Sequence, residues 1–243
     1  MNFQLFLFAL IAALTAPAWA QDIDRLQNLA QQEFRLLSED LGGVLSYRPQ
    51  TPTAPLGTTG FDIGVGITAA KIQNEEIFER ATSDDVPDTI PVPTLRAHKG
   101  LPFGFDVGLM YAQIPGSDIK YYGGELKYAF VPGNVALPAI GLRGSLTRVS
   151  GIEQIDFDTR SLDLSISKGF AIATPYAGVG RVWVKSDPKG NLGSGGVTLS
   201  KEEFELDKFF LGLGLKFGLF NLNLEGDRTG DVTGYSLKVG LRF

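Results

Sequence analysis

The stretch Tyr235-Ser236-Leu237-Lys238-Val239-Gly240-Leu241-Arg242-Phe243 decides the fold. Tyr235, Leu237, Val239, Leu241 and Phe243 are apolar or aromatic, and the residues between them are small or charged. That is period-two alternation carried to the last residue, the signature of a strand with two unlike faces. An unprotected edge strand of this kind pairs with other chains in water. A sheet closed into a barrel inside a membrane removes the edge and gives the apolar row lipid to face. The competing reading is an edge strand of a soluble sandwich, so the rest of the chain must arbitrate.

The other end agrees with export. Residues 1–20 carry no charged side chain, and Phe3, Leu5 to Phe8 and Leu10 to Leu14 make a short apolar run ahead of Ala18-Trp19-Ala20. This reads as a secretory signal peptide cleaved after Ala20, although its first residues lack the usual Lys or Arg. The run is too short to span a bilayer as a helix. No later window holds eighteen consecutive apolar residues. Cysteine is absent, so an exported chain of this size rests on its core or on barrel closure rather than on bridges. A net charge of −5 argues against nucleic acid as partner.

Between the ends, alternation recurs. The first mature residues predict an amphipathic helix over 22–39, capped by Asp22, with Ile23, Leu26, Ala30, Phe34 and Leu37 on one face. Pro49, Pro52 and Pro55 then mark an extended linker. From Gly60 the period changes to two. Strands are expected near 60–70, 91–99, 103–111, 120–130, 138–149, 156–168, 171–185, 204–217, 219–228 and 231–243, about ten of spanning length. The domains are therefore residues 1–20 as signal peptide, 21–59 as helix and Pro-rich linker, and 60–243 as barrel. The long connections, 71–90 and 186–202, fall on the same side, opposite the short turns near Gly100, Pro132-Asn134, Lys168-Gly169 and Gly218. Phe61, Phe103, Phe130, Phe217, Phe220 and Phe243 collect near the short turns, while Tyr111, Tyr122, Trp183 and Tyr235 collect near the long loops. Two aromatic girdles result, as two membrane interfaces require. In strand 171–185 the register that turns Gly178 and Gly180 inward is favoured, and it points Val179, Arg181 and Trp183 outward.

At its last strand the chain resembles bacterial outer-membrane β-barrel proteins, whose final strand commonly ends in Phe behind alternate apolar residues. The resemblance covers the signal peptide and residues 60–243 as a general architecture. It implies a closed antiparallel transmembrane β-barrel in an all-β fold, located in the bacterial outer membrane. It also implies that Tyr235, Leu237, Val239, Leu241 and Phe243 form the signal read by the barrel assembly machinery. Outer-membrane lipid is the other expected partner, and a monomer the expected state.

The registers also name the inward rows. Acidic residues there are Asp62, Asp106, Glu125, Asp163, Glu225 and Asp227; basic ones are Lys127, Arg143, Lys208, Lys216, Lys238 and Arg242. The signs nearly cancel, which suits a paired network that stiffens the wall; a charged constriction selecting solutes is the other reading. Inward glycines, among them Gly66, Gly123, Gly141 and Gly214, leave volume in the lumen. The unpartnered helix is the candidate to fill it, so part of residues 22–55 is expected against or inside the short-turn mouth.

Catalytic chemistry is poorly supplied. Barrels that resemble the omptin proteases or outer-membrane lipases need Asp/His or Ser/His at the outer rim. The single histidine, His98, belongs near the turn at Gly100, at the wrong end. No second histidine or cysteine stands ready to share a metal. Glu75, Glu76, Glu79, Asp84, Asp85 and Asp88 make the first long loop acidic, as a solvated loop often is. No catalytic residue, metal or cofactor is expected. The expected function is a narrow passive channel for small solutes or apolar molecules. A structural or surface-interaction barrel with a salt-bridged, closed lumen is the alternative, and a lipid-modifying enzyme comes third.

Overall fold

The computed structural model describes residues 23–82, 86–190 and 198–243. The expected signal peptide, the cap at Asp22, the acidic pair Asp84 and Asp85, and residues 191–197 of the long connection 186–202 lie outside the described residues. Ten strands close into one antiparallel barrel, each paired with its neighbours in sequence, and the first pairs with the last. They are β1 (Phe61–Lys71), β2 (Thr89–Gly100), β3 (Phe105–Gln113), β4 (Lys120–Val131), β5 (Ala139–Ser150), β6 (Ile155–Ser167), β7 (Ala173–Pro188), β8 (Glu202–Phe217), β9 (Phe220–Thr229) and β10 (Val232–Arg242). Phe103 leaves the expected strand: it sits in a turn at φ 63°, almost fully exposed, and β3 starts two residues later.

Closure is sealed where the sequence ends. Phe61 and Phe243 exchange backbone hydrogen bonds of 2.7 and 3.0 Å, and their rings stack at 5.5 Å. The last strand pairs with β1 from Asp62↔Arg242 to Lys71↔Thr233, so its edge does not exist. Leu237, Leu241, Ile63, Leu95, Leu126 and Leu164 point outward and exposed, a row that suits lipid. In β2, Pro91 and Pro93 sit above Thr94, where pairing with β3 begins, so one side of that strand has no ladder to lose.

Strand β7 keeps the favoured register, with Val179, Arg181 and Trp183 outward and Val182 and Val184 inward. The Arg181 guanidinium donates to Glu205 at 2.8 Å and Asp207 at 2.9 Å, and Trp183 Nε1 donates to Glu205 at 3.0 Å. Below this level the outward row becomes Phe209 and Leu211, so the charge pairs sit where the lipid-facing band stops.

The amino-terminal segment departs from expectation in extent and place. The helix, α1, spans Gln31–Leu45 and follows a single 3₁₀ turn at Leu26–Asn28. The Glu33 carboxylate accepts the Ala30 backbone N–H at 2.9 Å, which supplies the start that Asp22 was expected to give. It runs through Gly42-Gly43, a pair that reads as a breaker in sequence. Both glycines are needed bare: an added Cβ would meet Val184 and Leu206 at Gly42, and Val232 at Gly43. Those residues belong to the long-loop end of the barrel. The helix therefore occupies that end, not the short-turn mouth.

Candidate functional site

From Ser46 the chain leaves the helix and descends the lumen without regular structure, kinked at Gln50 (φ 48°), to the tight turn Gly57–Gly60, which feeds β1. About eleven residues have a greatest reach of roughly 30 Å, the thickness of a membrane core. The order of contacts records the descent. Leu45 O accepts from Thr147, Tyr47 O from Lys208 at 2.7 Å, and Arg48 O from Arg96 at 2.7 Å. Gln50 N donates to Glu225 at 2.8 Å. Pro52 O and Ala54 O accept from Lys127 at 3.0 and 3.3 Å. Ala54 N donates to Ser167 and Leu56 N to Asp106 at 3.0 Å, beside the short-turn end.

This segment has no strand beside it, yet its backbone polar groups are buried and need partners. The wall charges provide them: lysine and arginine for carbonyls, carboxylates for N–H groups. Pro49, Pro52 and Pro55 reduce the number of donors to be satisfied. The charges meanwhile pair with each other. Lys238 meets Asp62 at 2.6 Å, Lys127 meets Asp106 at 2.8 Å, Arg143 meets Glu125 at 2.8 Å and Lys208 meets Asp163 at 3.0 Å. Glu225 accepts a further bond from the Tyr176 hydroxyl at 2.9 Å.

Ten of the twelve charged residues expected in the lumen, Asp62, Asp106, Glu125, Lys127, Arg143, Asp163, Lys208, Glu225, Asp227 and Lys238, are at most 5% exposed. Lys216 and Arg242 depart from the expectation. Lys216 is exposed and Arg242 half-buried, because both lie within two residues of a strand end at the short-turn rim. The inward glycines have a use. Added Cβ atoms would meet Gln50 at Gly66, Tyr47 at Gly123, Thr53 at Gly141 and Pro52 at Gly214.

Two participants, Arg48 and Arg96, were not singled out from the sequence, and a third, His98, was expected only near the turn at Gly100. Arg48, almost fully buried, pairs with Asp227 at 2.9 Å and donates to Val44 O at 2.7 Å and Gly43 O at 2.9 Å. It closes the carboxyl end of α1, where free carbonyls and the helix dipole favour a cation. Arg96 lies under the Tyr47 ring and donates to the backbone of Arg48. His98 is an inward wall residue, buried rather than interfacial, with Nε2 at 3.4 Å from the Tyr47 hydroxyl and 3.5 Å from Glu125. Only the alternation of β2 hinted at these two, and its prolines obscured it. At the bottom, Asp62, His98, Asp106, Lys127 and Arg242 surround a cavity of about 10 Å³, room for one water.

At the opposite end the same segment ties three connections together, two of them long. Asp40, buried on α1, accepts from Asn74 N at 2.8 Å, Gln73 N at 3.1 Å and Asn74 Nδ2 at 3.1 Å, holding the entry to α2 (Glu75–Ala81). Burial pushes its carboxyl up, against the pull of the Asn74 and Gln73 donors. Gln154 grips Leu26 N and Asp24 O between β5 and β6. Arg35 and Gln31 bind Glu202 at the start of β8.

No family model matches the chain, and no curated protein matches it. Among solved structures it is similar to an outer membrane channel from Pseudomonas putida F1, at 9% identity and a TM-score of 0.48, over 82% of this chain and 100% of that one. It is also similar to a KdgM porin in complex with disordered oligogalacturonate (10%, 0.41, 75% and 99%). The N-terminal β-barrel domain of Pseudomonas aeruginosa OprF gives 14%, 0.37, 77% and 99%. At these values the matches add nothing to what the closed sheet itself shows. In architecture the chain is a closed ten-stranded antiparallel barrel similar to bacterial outer-membrane β-barrel proteins.

Proposed function

We propose that this protein is an outer-membrane barrel closed by its own amino-terminal segment, and that its role is structural or surface-interacting rather than that of an open channel. One observation carries this reading: residues 46–56 run the length of the lumen and are hydrogen-bonded to its wall from Thr147 to Asp106. A passive pore, the first expectation from the sequence, needs that volume empty. The same segment pins three connections on that side, so the loop face is held as one surface for a partner to meet. The long loops face outside, the apolar rows face outer-membrane lipid, and the Phe243 strand addresses the assembly machinery. The barrel works as a monomer without catalytic chemistry. Liposomes carrying the purified full-length protein test this directly. No swelling in small sugars is expected; swelling at rates that scale with solute size would establish a pore instead.

A further inference from the structure

Drawing helix α1 ready-folded through the finished barrel would need a wide opening at the short-turn end. With its side chains a helix is about 10–12 Å wide. At the bottom of the lumen the extended residues Thr51, Pro52 and Leu56 already fill the space up to Asp62, His98, Asp106 and Lys127, leaving a cavity of only about 10 Å³ beside them. The helix also seats on one part of the wall. Gly42 lies against Val184 of β7 and Leu206 of β8, Gly43 against Val232 of β10, and Arg48 against Asp227 of β9. That wall ends at β10, whose remaining edge is the one β1 must find. The segment leading out of α1 runs down the lumen and turns at Gly57–Gly60 directly into β1. Seating α1 on β7–β10 therefore delivers β1 to the free edge of β10.

We propose that the amino-terminal segment acts as a closing clamp: it docks on the open β7–β10 sheet first and then brings β1 into register, so the β1–β10 seam closes around it. The advantage is one of effective concentration, since a docked helix turns the search of β1 for β10 into a short-range event. The clamp reading does not depend on which side of the membrane the loops face. It holds equally for a lumen that later opens.

Two hydroxyl pairs report the two steps in a chain without cysteine. Ser38 and Ser186 join α1 to β7 with oxygens 2.9 Å apart, and Thr68 and Ser236 join β1 to β10 with oxygens 2.8 Å apart. Replacing all four by cysteine allows each contact to be trapped as a disulfide. The full-length variant, shown to fold when reduced, is refolded from urea into lipid vesicles and sampled by short oxidant pulses. Molecules bridged only at Ser38→Cys/Ser186→Cys should appear first and convert to doubly bridged ones. Molecules bridged only at Thr68→Cys/Ser236→Cys should not accumulate; their build-up as the early species overturns the clamp. Adding Gly43→Val, which obstructs the seat on Val232, should slow seam bridging by at least roughly tenfold. An unchanged seam rate with the helix displaced overturns it equally.

Discussion

The two halves of the amino-terminal segment are held by opposite means. The helix at the long-loop end buries Phe34, Leu37, Leu41 and Val44 against Val184, Leu206 and Val232, an ordinary apolar core placed above the lipid-facing band. The extended half below it has few apolar contacts and lies among lysines, arginines and carboxylates. The difference teaches what the lumen charges are for. A helix satisfies its own backbone and needs only grease around it, whereas a lone extended chain carries every peptide group unpaired and needs a polar wall. Arg48 stands at the junction and serves both halves.

The sharpest way to break that comparison is at the junction and at the apolar seat. Arg48→Ala leaves Asp227 and the helix-end carbonyls without partners, for an expected loss of about 3–5 kcal/mol. Phe34→Ala hollows the apolar seat for a loss of about 3–5 kcal/mol as well. Urea unfolding in lipid measures both. What separates them is rescue: adding Asp227→Asn should restore a large part of the Arg48→Ala loss, because the stranded charge is gone, and should do nothing for Phe34→Ala.

A smaller effect lies in the lower half. Thr53→Val removes the 2.9 Å bond to Ser165 without changing shape and should cost about 1 kcal/mol by the same measurement. The latch at Asp40 should show in the pH dependence. Its folded carboxyl is raised, so the folded chain holds the proton more tightly than the unfolded one. Its contribution is therefore full below the ordinary carboxylate range and is lost as pH rises through the raised value. Asp40→Asn should flatten that part of the stability profile between acid and neutral pH. Least of all, Lys216→Ala at the exposed rim should stay within about 0.5 kcal/mol of the parent. A large loss there would mean the charge network extends past the short turns.

Much of this was legible before the fold. Strict alternation placed the strands and the inward row, because a two-residue period leaves each side chain one face or the other. The glycines announced a filled lumen, since missing side chains on one face mean that something else approaches closely. What stayed hidden depended on contacts between distant parts. The helix was expected to stop at residue 39, short of Gly42-Gly43, because only Val184, Leu206 and Val232 explain why bare backbone is needed there. Arg48, between Tyr47 and Pro49, looked like a solvated linker residue, and no local pattern announces a partner at Asp227. The place of the helix was misjudged too, since it was expected at the short-turn mouth. A linker long enough to cross the lumen suits a helix at either mouth, and the seat on β7–β10 decides between them.

One consequence follows from the unequal strands. Strands β7 and β8 have 16 residues each and β3 has 9, so one flank is longer by about 23 Å measured along the chain. Since the Arg181–Glu205–Asp207 cluster marks the lipid boundary, the surplus rises beyond it as a lopsided collar with α1 leaning on its inner side. Any large visitor arriving from that side of the membrane meets a ledge rather than a hole. It must approach obliquely, over the low rim formed by β3 and its neighbours.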